Sequence, residues 1–357
     1  MGVDIGSQWT KIVWTSRNLF GQLEWCGLKV PTRVPKDDAA FIARHVPDAA
    51  VEANGPTWAR LDFQRLAEQL KSALQNAGIR QVEELAASVS MSWCEVRSLD
   101  NDGTTTQNSQ KSIQERFLET VTDGQNHCVA ALPRIGQERS SDSTESFDAQ
   151  RVLSLPERLA LDLSETFEQQ QLELSVLDGA PWCLARALSR VAQPQELELL
   201  LDWGHQAITL VACHNNQLVH CRKLECPGIS SVVSGLQQEL ELSEREALRL
   251  LCRPMVLGPT SVETRRANDT LHTLFVEHTT SVAKQLGIAV RFLTWRLPRS
   301  PLKQIWICGG GSLLAPAVDY LSGHVGLPIH PWQWQPTSDG APLTSDMAVA
   351  STLVRWE

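Results

Sequence analysis

Two hydrophobic periods alternate along the chain. Short apolar runs at 197–202 and 305–308 are typical of buried strands. Over 61–78 the apolar residues recur at helical spacing, with Asp62 as a candidate N-cap and Gly78 as a candidate C-cap. Because strand and helix patterns follow one another throughout, the sequence predicts a layered α/β fold rather than an all-α or all-β one.

The same patterns predict the remaining elements. Strands are expected at 2–5, 11–14, 85–96, 172–177, 209–213 and 218–221. Helices are expected at 156–171, 181–191, 269–293, 316–321 and 345–355, with two more inside 229–253. Gly323 is expected to end the helix at 316–321. Polar loops at 101–112 and 136–146, a helix at 112–121 and strands at 127–132 and 148–154 predict a small α+β insertion.

A strand–turn–strand unit occurs twice in the chain. D-I-G at 4–6 and D-W-G at 202–204 each follow apolar strand residues and lead into a second strand. Each second strand then reaches an Asn turn, at Asn18 in one case and at Asn215-Asn216 in the other. The repeat predicts two related lobes that face each other.

The chemistry of this unit suits a nucleotide. A turn glycine lets backbone N–H groups approach a phosphate, and Asp at a strand end can hold Mg²⁺, usually through waters. Lys11 is placed to neutralise phosphate charge, whereas its counterpart in the second unit is Thr209. After the strand at 305–308, G-G-G-S at 309–312 allows a ring or sugar to lie against backbone at a helix start. The alternatives are ordinary Asp turns, and glycines needed for close packing.

The charge, the apolar runs and the cysteines of the chain disfavour several classes of protein. The net charge is −9, with 32 basic and 41 acidic residues, which disfavours a protein whose main task is binding nucleic acid. No apolar run approaches the roughly 20 residues that span a bilayer, and no signal peptide is expected at the start. The nine cysteines form no C-x-x-C pair, so free thiols in a reducing cytosol are expected rather than disulfides or zinc.

Three segments resemble the nucleotide-binding motifs of the actin-like ATPase superfamily. V-D-I-G-S-Q-W-T-K at 3–11 resembles its first phosphate motif, L-L-L-D-W-G-H-Q-A at 199–207 its second, and I-W-I-C-G-G-G-S-L-L at 305–314 its adenosine motif. Within the superfamily the chain looks most like the type IV pilus assembly PilM family, which is related to the cell-division protein FtsA. The segments at 172–178, 185–188 and 216–222 support that likeness.

The resemblance implies a two-lobed actin-like (ribonuclease H-like) fold with ATP and Mg²⁺ in the cleft. Asp4 and Asp202 would hold the metal ion, through waters, and no residue is assigned a catalytic role. The nucleotide would contact the following residues: Asp4, Gly6, Ser7 and Lys11 in the first lobe, Asp202, Gly204 and His205 in the second, and Gly309, Gly310, Gly311 and Ser312 around the adenosine.

The resemblance also divides the chain into parts. The first lobe would comprise 1–97, the small α+β insertion subdomain 98–155, and a return to the first lobe 156–195. The second lobe would comprise 196–345, with a helical subdomain at about 229–275, and a C-terminal helix would follow at 346–357.

A membrane-bound partner follows from the same resemblance. PilM-like proteins are cytoplasmic and dock at the inner membrane by binding the cytoplasmic tail of a PilN-like protein, in a groove between the first lobe and the insertion. A similar partner and a peripheral location are therefore expected here, with self-association as a further possibility suggested by actin and FtsA.

Two other functions stay open. Relatives often carry an acidic residue and a Lys on the helix that contacts adenosine, where this chain offers Arg249. That difference favours an interaction module that does not bind nucleotide, like the cytoplasmic domain of a GspL-like secretion protein. A small-molecule kinase of the same superfamily is the other alternative, although the sequence identifies no general base for it.

Overall fold

The computed structural model describes residues 1–17, 23–32, 61–82, 84–99, 113–120, 126–131, 150–191, 196–215, 217–252, 262–334 and 343–354. The strands in these ranges are β1 Gly2–Ile5, β2 Trp9–Arg17, β3 Leu23–Pro31, β4 Leu85–Val89, β5 Glu95–Leu99, β6 His127–Ala131, β7 Gln150–Pro156, β8 Leu174–Gly179, β9 Leu197–Trp203, β10 Ala207–His214, β11 Gln217–Pro227, β12 Leu302–Cys308 and β13 Ile329–Pro331. The helices are α1 Phe63–Asn76, α2 Ile113–Leu118, α3 Glu157–Gln169, α4 Ala180–Val191, α5 Ser230–Leu240, α6 Glu244–Leu251, α7 Val262–Arg296, α8 Ala315–Val325 and α9 Ala348–Thr352, with short 3-10 helices at Gly310–Leu313 and Ser345–Met347.

Two five-stranded sheets share one topology. The first has the order β3-β2-β1-β4-β8 and the second has the order β11-β10-β9-β12-β13. In both sheets the first three strands are antiparallel and the other two are added in parallel. The repeat predicted from the two D-x-G units is therefore confirmed over whole sheets.

Helices α4 and α9 form a core that both sheets share. Their apolar side chains pack with Val13 and Ala86 of the first sheet and with Leu200 and Val211 of the second. The first sheet buries its other face against α1 and α3, and the second sheet buries its other face against α5, α6, α7 and α8. Because each sheet is covered on both faces, its central strands are largely buried, and β1 and β4 of the first sheet are buried at every residue.

A separate three-stranded sheet of order β5-β7-β6 overlaps the predicted insertion at 98–155, although β5 already begins at Glu95, and α2 packs on this sheet around Phe117. Arg151 on β7 reaches the edge of the second sheet, where its Nη1 donates to the carbonyl oxygen of Leu218 at 2.9 Å and its Nη2 donates to that of Val219. This small sheet therefore contacts the second lobe as well as the first.

Local signals explain the starts of two helices. Asp62 accepts a hydrogen bond from the backbone N–H of Arg65 at 2.9 Å, as the predicted N-cap of α1 should. Ser243 and Glu246 form a reciprocal capping box that starts α6, which separates it from α5 as predicted.

Three predicted elements are wrong. Residues 85–96 are not one strand, because Trp93 N–H bonds back to the carbonyl oxygen of Ser90 at 2.8 Å and turns the chain between β4 and β5. Gly323 does not end α8, which continues to Val325 and stops at the left-handed Gly326. The last helix does not run over 345–355, since a 3-10 turn precedes α9 and α9 ends at Thr352.

Some predicted features lie outside the described residues. These are the Asn18 turn, Asn216 of the second turn, and the loops at 101–112 and 136–146. Asn215 is described, and it has the positive φ of 53° that a tight turn requires. The nine cysteines are free thiols, as predicted. Within the described ranges, no helix is both long enough and apolar enough to cross a membrane.

Gly2 tests the contact between β1 and α9. A Cβ at Gly2 would lie 2.1 Å from the carbonyl oxygen of Ala350 and 2.9 Å from Cβ of Leu353, so Gly2→Ala must displace α9. We expect Gly2→Ala to lower the free energy of unfolding by about 1–3 kcal/mol in urea denaturation.

Gly323→Ala is the matched control. Gly323 is exposed inside α8, with nothing within 4 Å of a Cβ, so alanine should be neutral or should stabilise by up to about 1 kcal/mol. Equal effects of the two substitutions would contradict the close approach of α9 to β1.

Candidate functional site

The two D-x-G hairpins have equivalent geometry. Asp4 lies opposite Lys11 in the β1–β2 register, and Asp202 lies opposite Thr209 in the β9–β10 register. Both turns are equally tight, because a Cβ at Gly6 or at Gly204 would lie 2.7 Å from a carbonyl oxygen three residues ahead. The structure thus brings the predicted phosphate residues of each lobe to the same end of its sheet.

Lys11 and Asp4 form a buried ion pair across the first hairpin. Lys11 Nζ lies 2.8 Å from Asp4 Oδ2, and the two side chains are 14% and 7% exposed. Burial by itself would lower the pKa of Lys11, but the nearby charges of Asp4, Asp202 and Asp346 outweigh burial and raise that pKa above its ordinary value. Carboxylates from both lobes therefore gather around one ammonium group.

Asp202 lies in surroundings that are unfavourable for an ionised carboxylate. Burial raises its pKa from 3.8 to about 6; Lys11 opposes that rise and Asp4 adds to it. The Cys308 thiol lies 3.9 Å from Asp202 Oδ1 and is a weak hydrogen-bond donor. The ionised carboxylate of Asp202 therefore lacks a full counter-charge.

Asp346 is a cleft residue that the sequence analysis missed. It is 4% exposed in the 3-10 turn before α9, pairs with Lys29 of β3, and accepts a 2.7 Å hydrogen bond from the Thr344 hydroxyl. In the sequence, T-S-D before a helix indicates a helix start. Its electrostatic contact with Lys11 depends on α9 packing back against β1 and β2.

The three glycines after β12 have different roles. Gly309 has a φ of +78°, and a Cβ there would lie 2.3 Å from Asp202 Oδ1. A Cβ at Gly311 would lie 2.4 Å from the ring of Trp203. These two positions fit the packing alternative, whereas Gly310 is exposed and has nothing within 4 Å of a Cβ. Open backbone for a flat ligand is thus available at Gly310.

Ser312 ties the glycine turn to the segment that carries Asp346. Its hydroxyl is 2.6 Å from the carbonyl oxygen of Gly309 and 2.6 Å from the hydroxyl of Ser345. The side chain of Ser312 is therefore engaged within the protein, and its predicted contact with adenosine stays a prediction.

The second turn is fixed by the start of α5. Carbonyl oxygens of Gly204 and His205 accept hydrogen bonds from the backbone N–H groups of Ile229, at 3.2 Å, and Ser230, at 2.8 Å. Trp203 adds a third attachment, because its Nε1 donates to His278 Nε2 of α7 at 3.1 Å. Burial lowers the pKa of His278 to about 4, so the ring is neutral and can accept this bond.

Each hairpin turn also carries a glutamine whose amide oxygen has no hydrogen-bond partner. Gln8 and Gln206 occupy equivalent positions, and the Oε1 atom of each is buried without a hydrogen-bond partner. A buried polar atom without a partner costs free energy unless a ligand or water satisfies it. The motifs alone do not single out these two residues, although the repeat places them in register.

The side chains fit Mg²⁺ held largely by other ligands. No three His, Cys, Asp or Glu side chains among the residues described here form a group that would hold a metal ion. Mg²⁺ commonly uses one or two carboxylates and takes its other ligands from water and phosphate. The uncompensated charge of Asp202 and the nearby Asp4 suit that arrangement.

Asp178 illustrates a carboxylate with a structural role. It accepts a 2.8 Å hydrogen bond from the N–H of Gly179, and it pairs with Arg186 at 2.5 Å. Both oxygens are thus engaged at the start of α4.

Comparisons with known proteins bear on the fold. The PilM–PilN type IV pilus biogenesis complex superposes with a TM-score of 0.67 at 17% identity, covering 99% of this chain and 96% of that chain. The ethanolamine utilization protein EutJ from Carboxydothermus hydrogenoformans gives 0.48 at 10% identity, covering 99% and 87%. MreB5 of Spiroplasma citri bound to ADP gives 0.45 at 12% identity, covering 98% and 93%. No protein-family model matches the chain, and no curated protein matches it.

At 17% identity the first of these comparisons establishes the fold. The chain has the two-lobed actin-like ATPase fold, in the form found in the PilM–PilN structure. The fold predicted from the three motifs is therefore confirmed.

The raised pKa of Asp202 predicts a pH-dependent stability. The Asp202 carboxyl binds its proton more tightly in the native state than in the unfolded chain. Its contribution to the free energy of unfolding is therefore fully present below pH 3.8 and is lost as the pH rises through about 6. In metal-free buffer at pH 8, Asp202→Asn should therefore be more stable than the wild type, by about 1–2 kcal/mol. The difference should shrink towards pH 4 in urea denaturation.

Asp269→Asn, on the exposed side of α7, is the control and should show no such trend. A gain for Asp202→Asn that is the same at both pH values would contradict the buried, under-compensated carboxylate.

Proposed function

We propose that this chain is an ATP-binding actin-like scaffold protein of a type IV pilus, or related secretion, assembly platform. A PilN-like inner-membrane partner would hold it at the cytoplasmic face of the membrane by its cytoplasmic tail. The observation that carries the proposal is the superposition on the PilM–PilN structure, which extends over nearly all of both chains. A likeness of that extent includes both lobes and the cleft between them.

The cleft has the charge balance that a Mg-nucleotide would use. Lys11 is paired with Asp4, and Asp202 lies nearby with its charge under-compensated. We infer that phosphate would take over the ammonium group of Lys11, while Asp4 and Asp202 would face the metal ion. The amides of Gln8 and Gln206 would supply polar partners beside the turns. Bound ATP supplies negative charge and a bridge between the lobes.

Adenosine would lie against the turn after β12. Gly310 leaves backbone open to a flat ring, while Gly309 and Gly311 keep that turn pressed on Asp202 and Trp203. The turn contacts the second hairpin directly. A ligand at Gly310 would therefore displace residues at the phosphate end of the cleft as well. Ser7, Gly204, His205 and Ser312 stay predicted contacts.

A nucleotide that touches both lobes would set the angle between them. The shared core of α4 and α9 lies between the sheets, and Arg151 links the small sheet to β11. We propose that closure of the cleft changes the affinity for the partner tail, because closure moves the surfaces that Arg151 joins. The protein would then act as a scaffold that responds to nucleotide, without an assigned catalytic residue.

An interaction module that does not bind nucleotide is the second candidate. The packing roles of Gly309 and Gly311 favour it, since both glycines are required by the fold whether or not a ligand binds. The exposed Gly310 distinguishes the two functions, because nothing lies within 4 Å of a Cβ there and packing does not require glycine at that position.

Calorimetry with Mg-ATP tests the nucleotide site. We expect saturable binding by the wild type and a loss of about tenfold or more in affinity for Lys11→Met, since a charged hydrogen bond contributes about 1.5–3 kcal/mol.

Gly310→Val should also abolish binding by filling the adenosine position, while leaving the unfolding temperature without ATP unchanged. Lys71→Met, on α1 and away from the cleft, is the charge control. Absence of binding by the wild type would remove the nucleotide from the proposal.

Fluorescence anisotropy with a PilN-type cytoplasmic tail peptide tests the partner. The wild type should bind the peptide, with an affinity that changes on adding Mg-ATP, and Asp4→Asn should bind it without that change. Tail binding that ignores Mg-ATP in both proteins would favour the interaction module. No binding of the tail under any condition would overturn the pilus assignment.

A further inference from the structure

The C-terminal part of α7 presents large apolar side chains to solvent. Ile288, Phe292 and Trp295 are 37%, 44% and 74% exposed, and their spacing of four and three residues puts them on one side of the helix. Trp295 is the most exposed of the large apolar residues described. We call this surface, together with the cations beside it, the α7 outer face.

Cations surround these side chains. Lys284 and Arg291 lie on the same side of α7, and Arg299 follows directly after the helix; all three are exposed. From His278 to Val318 the sequence contains no Asp or Glu. The chain as a whole has a net charge of −9, so this basic, aromatic surface is opposite in sign to the rest of the molecule.

The helix is held firmly behind its outer face. Leu286, Ala289 and Leu293, on the opposite side, are buried in the core of the second lobe. The edge strand β11 contacts one side of α7. Arg222 donates to Gln285 at 3.1 Å, and the centre of the His220 ring lies 5.3 Å from that of the Phe292 ring. The exposed side chains therefore project from a fixed support, and no rearrangement of the helix is needed to present them.

We propose that the α7 outer face binds the surface of an anionic phospholipid bilayer. Aromatic rings, above all that of Trp, favour the depth of the lipid headgroups, where one part of the ring is apolar and another is wet. Lys and Arg beside them are attracted to lipid phosphates, each contributing about 1 kcal/mol near an anionic surface. The acidic remainder of the protein is repelled, which leaves the α7 outer face as the side turned to the membrane.

The shape of the surface favours a bilayer over a protein partner. Hot spots for proteins lie in packed pockets from which a ring of neighbouring residues excludes water. Here Trp295 has about three quarters of its surface in solvent, and the charged residues nearest to it in the sequence are all cations. A row of protruding apolar groups between cations is the pattern of helices that lie in the membrane interface.

This contact is independent of the proposed nucleotide site and partner tail. A tail ties a protein to the membrane without fixing its orientation, whereas a patch on the second lobe fixes which side faces the lipid. The proposal therefore adds a second, weak attachment to the one that a PilN-like partner would provide.

Vesicle flotation with the full chain tests the proposal. The probes are mixed phosphatidylcholine–phosphatidylglycerol vesicles, with pure phosphatidylcholine vesicles as the neutral reference. We expect the wild type to float with the anionic vesicles at low salt, to bind the neutral vesicles at least about tenfold less, and to be released by salt near 0.5 M, where screening is strong.

Two double variants separate the apolar contribution to vesicle binding from the electrostatic one. Phe292→Ser with Trp295→Ser should reduce binding by about tenfold or more through loss of apolar contact. The double variant Lys284→Gln with Arg291→Gln should reduce binding to anionic vesicles by about 25-fold, since each cation near the surface contributes about fivefold to the affinity. Leu161→Ser on α3 and Arg245→Gln on α6 are exposed controls away from the α7 outer face, and they should leave binding unchanged.

Several outcomes would overturn the proposal. Failure of the wild type to float with anionic vesicles would overturn it, and so would variants of the α7 outer face that float like the controls. Capture of the wild type by soluble poly-glutamate but not by vesicles, with the same residue dependence, would assign the face to an acidic polypeptide. A dimer in sedimentation that Trp295→Ser converts to a monomer, without vesicle binding, would make it a contact between copies of this chain.

Discussion

The balance of buried charge around Lys11 is the interaction on which the cleft depends. One ammonium group faces Asp4 of its own hairpin, Asp202 of the opposite lobe and Asp346 of the C-terminal segment. Each carboxylate comes from a different part of the chain, so the balance exists only when the lobes and the last helix are assembled. The shortage of positive charge falls on Asp202, because burial raises its pKa to about 6 although Lys11 acts to lower that pKa. A bound cation would relieve that shortage, which connects the stability of the cleft to its proposed ligand.

Close backbone contacts keep this cluster in place. Gly2 lets α9 lie directly on β1, and Gly309 and Gly311 let the turn after β12 rest on Asp202 and Trp203. Trp203 in turn contacts α7 through His278. Because interiors are packed at crystal-like density, these contacts transmit displacement rather than absorb it. The same glycines that resemble a ligand-binding motif are thus also packing elements, and Gly310 is the member of the set that remains available to a ligand.

Charge is distributed unevenly over the surface, and this changes the interpretation of the acidic composition. The resemblance to PilM-like proteins implies a protein that reaches the membrane through a partner, and a net charge of −9 gives no sign of a basic surface of its own. The α7 outer face shows that cations can concentrate locally on an acidic protein, where they lie beside Trp295 and Phe292. A membrane partner and a membrane-facing surface are compatible, since one supplies tethering and the other orientation.

The sequence by itself determined the α/β class, the repeated hairpins, most element positions and the motif residues at the cleft. These follow from local patterns: strand and helix periodicity, capping residues, and glycine in tight turns. The domain boundaries and ligand contacts derived from it stay predictions. Only the tertiary structure decided that residues 85–96 bend between two sheets, that Asp346 joins the cluster around Lys11, and that Gly309 and Gly311 serve packing. Each of these depends on which distant segments meet, and a pattern of neighbouring residues carries no information about distances across the fold.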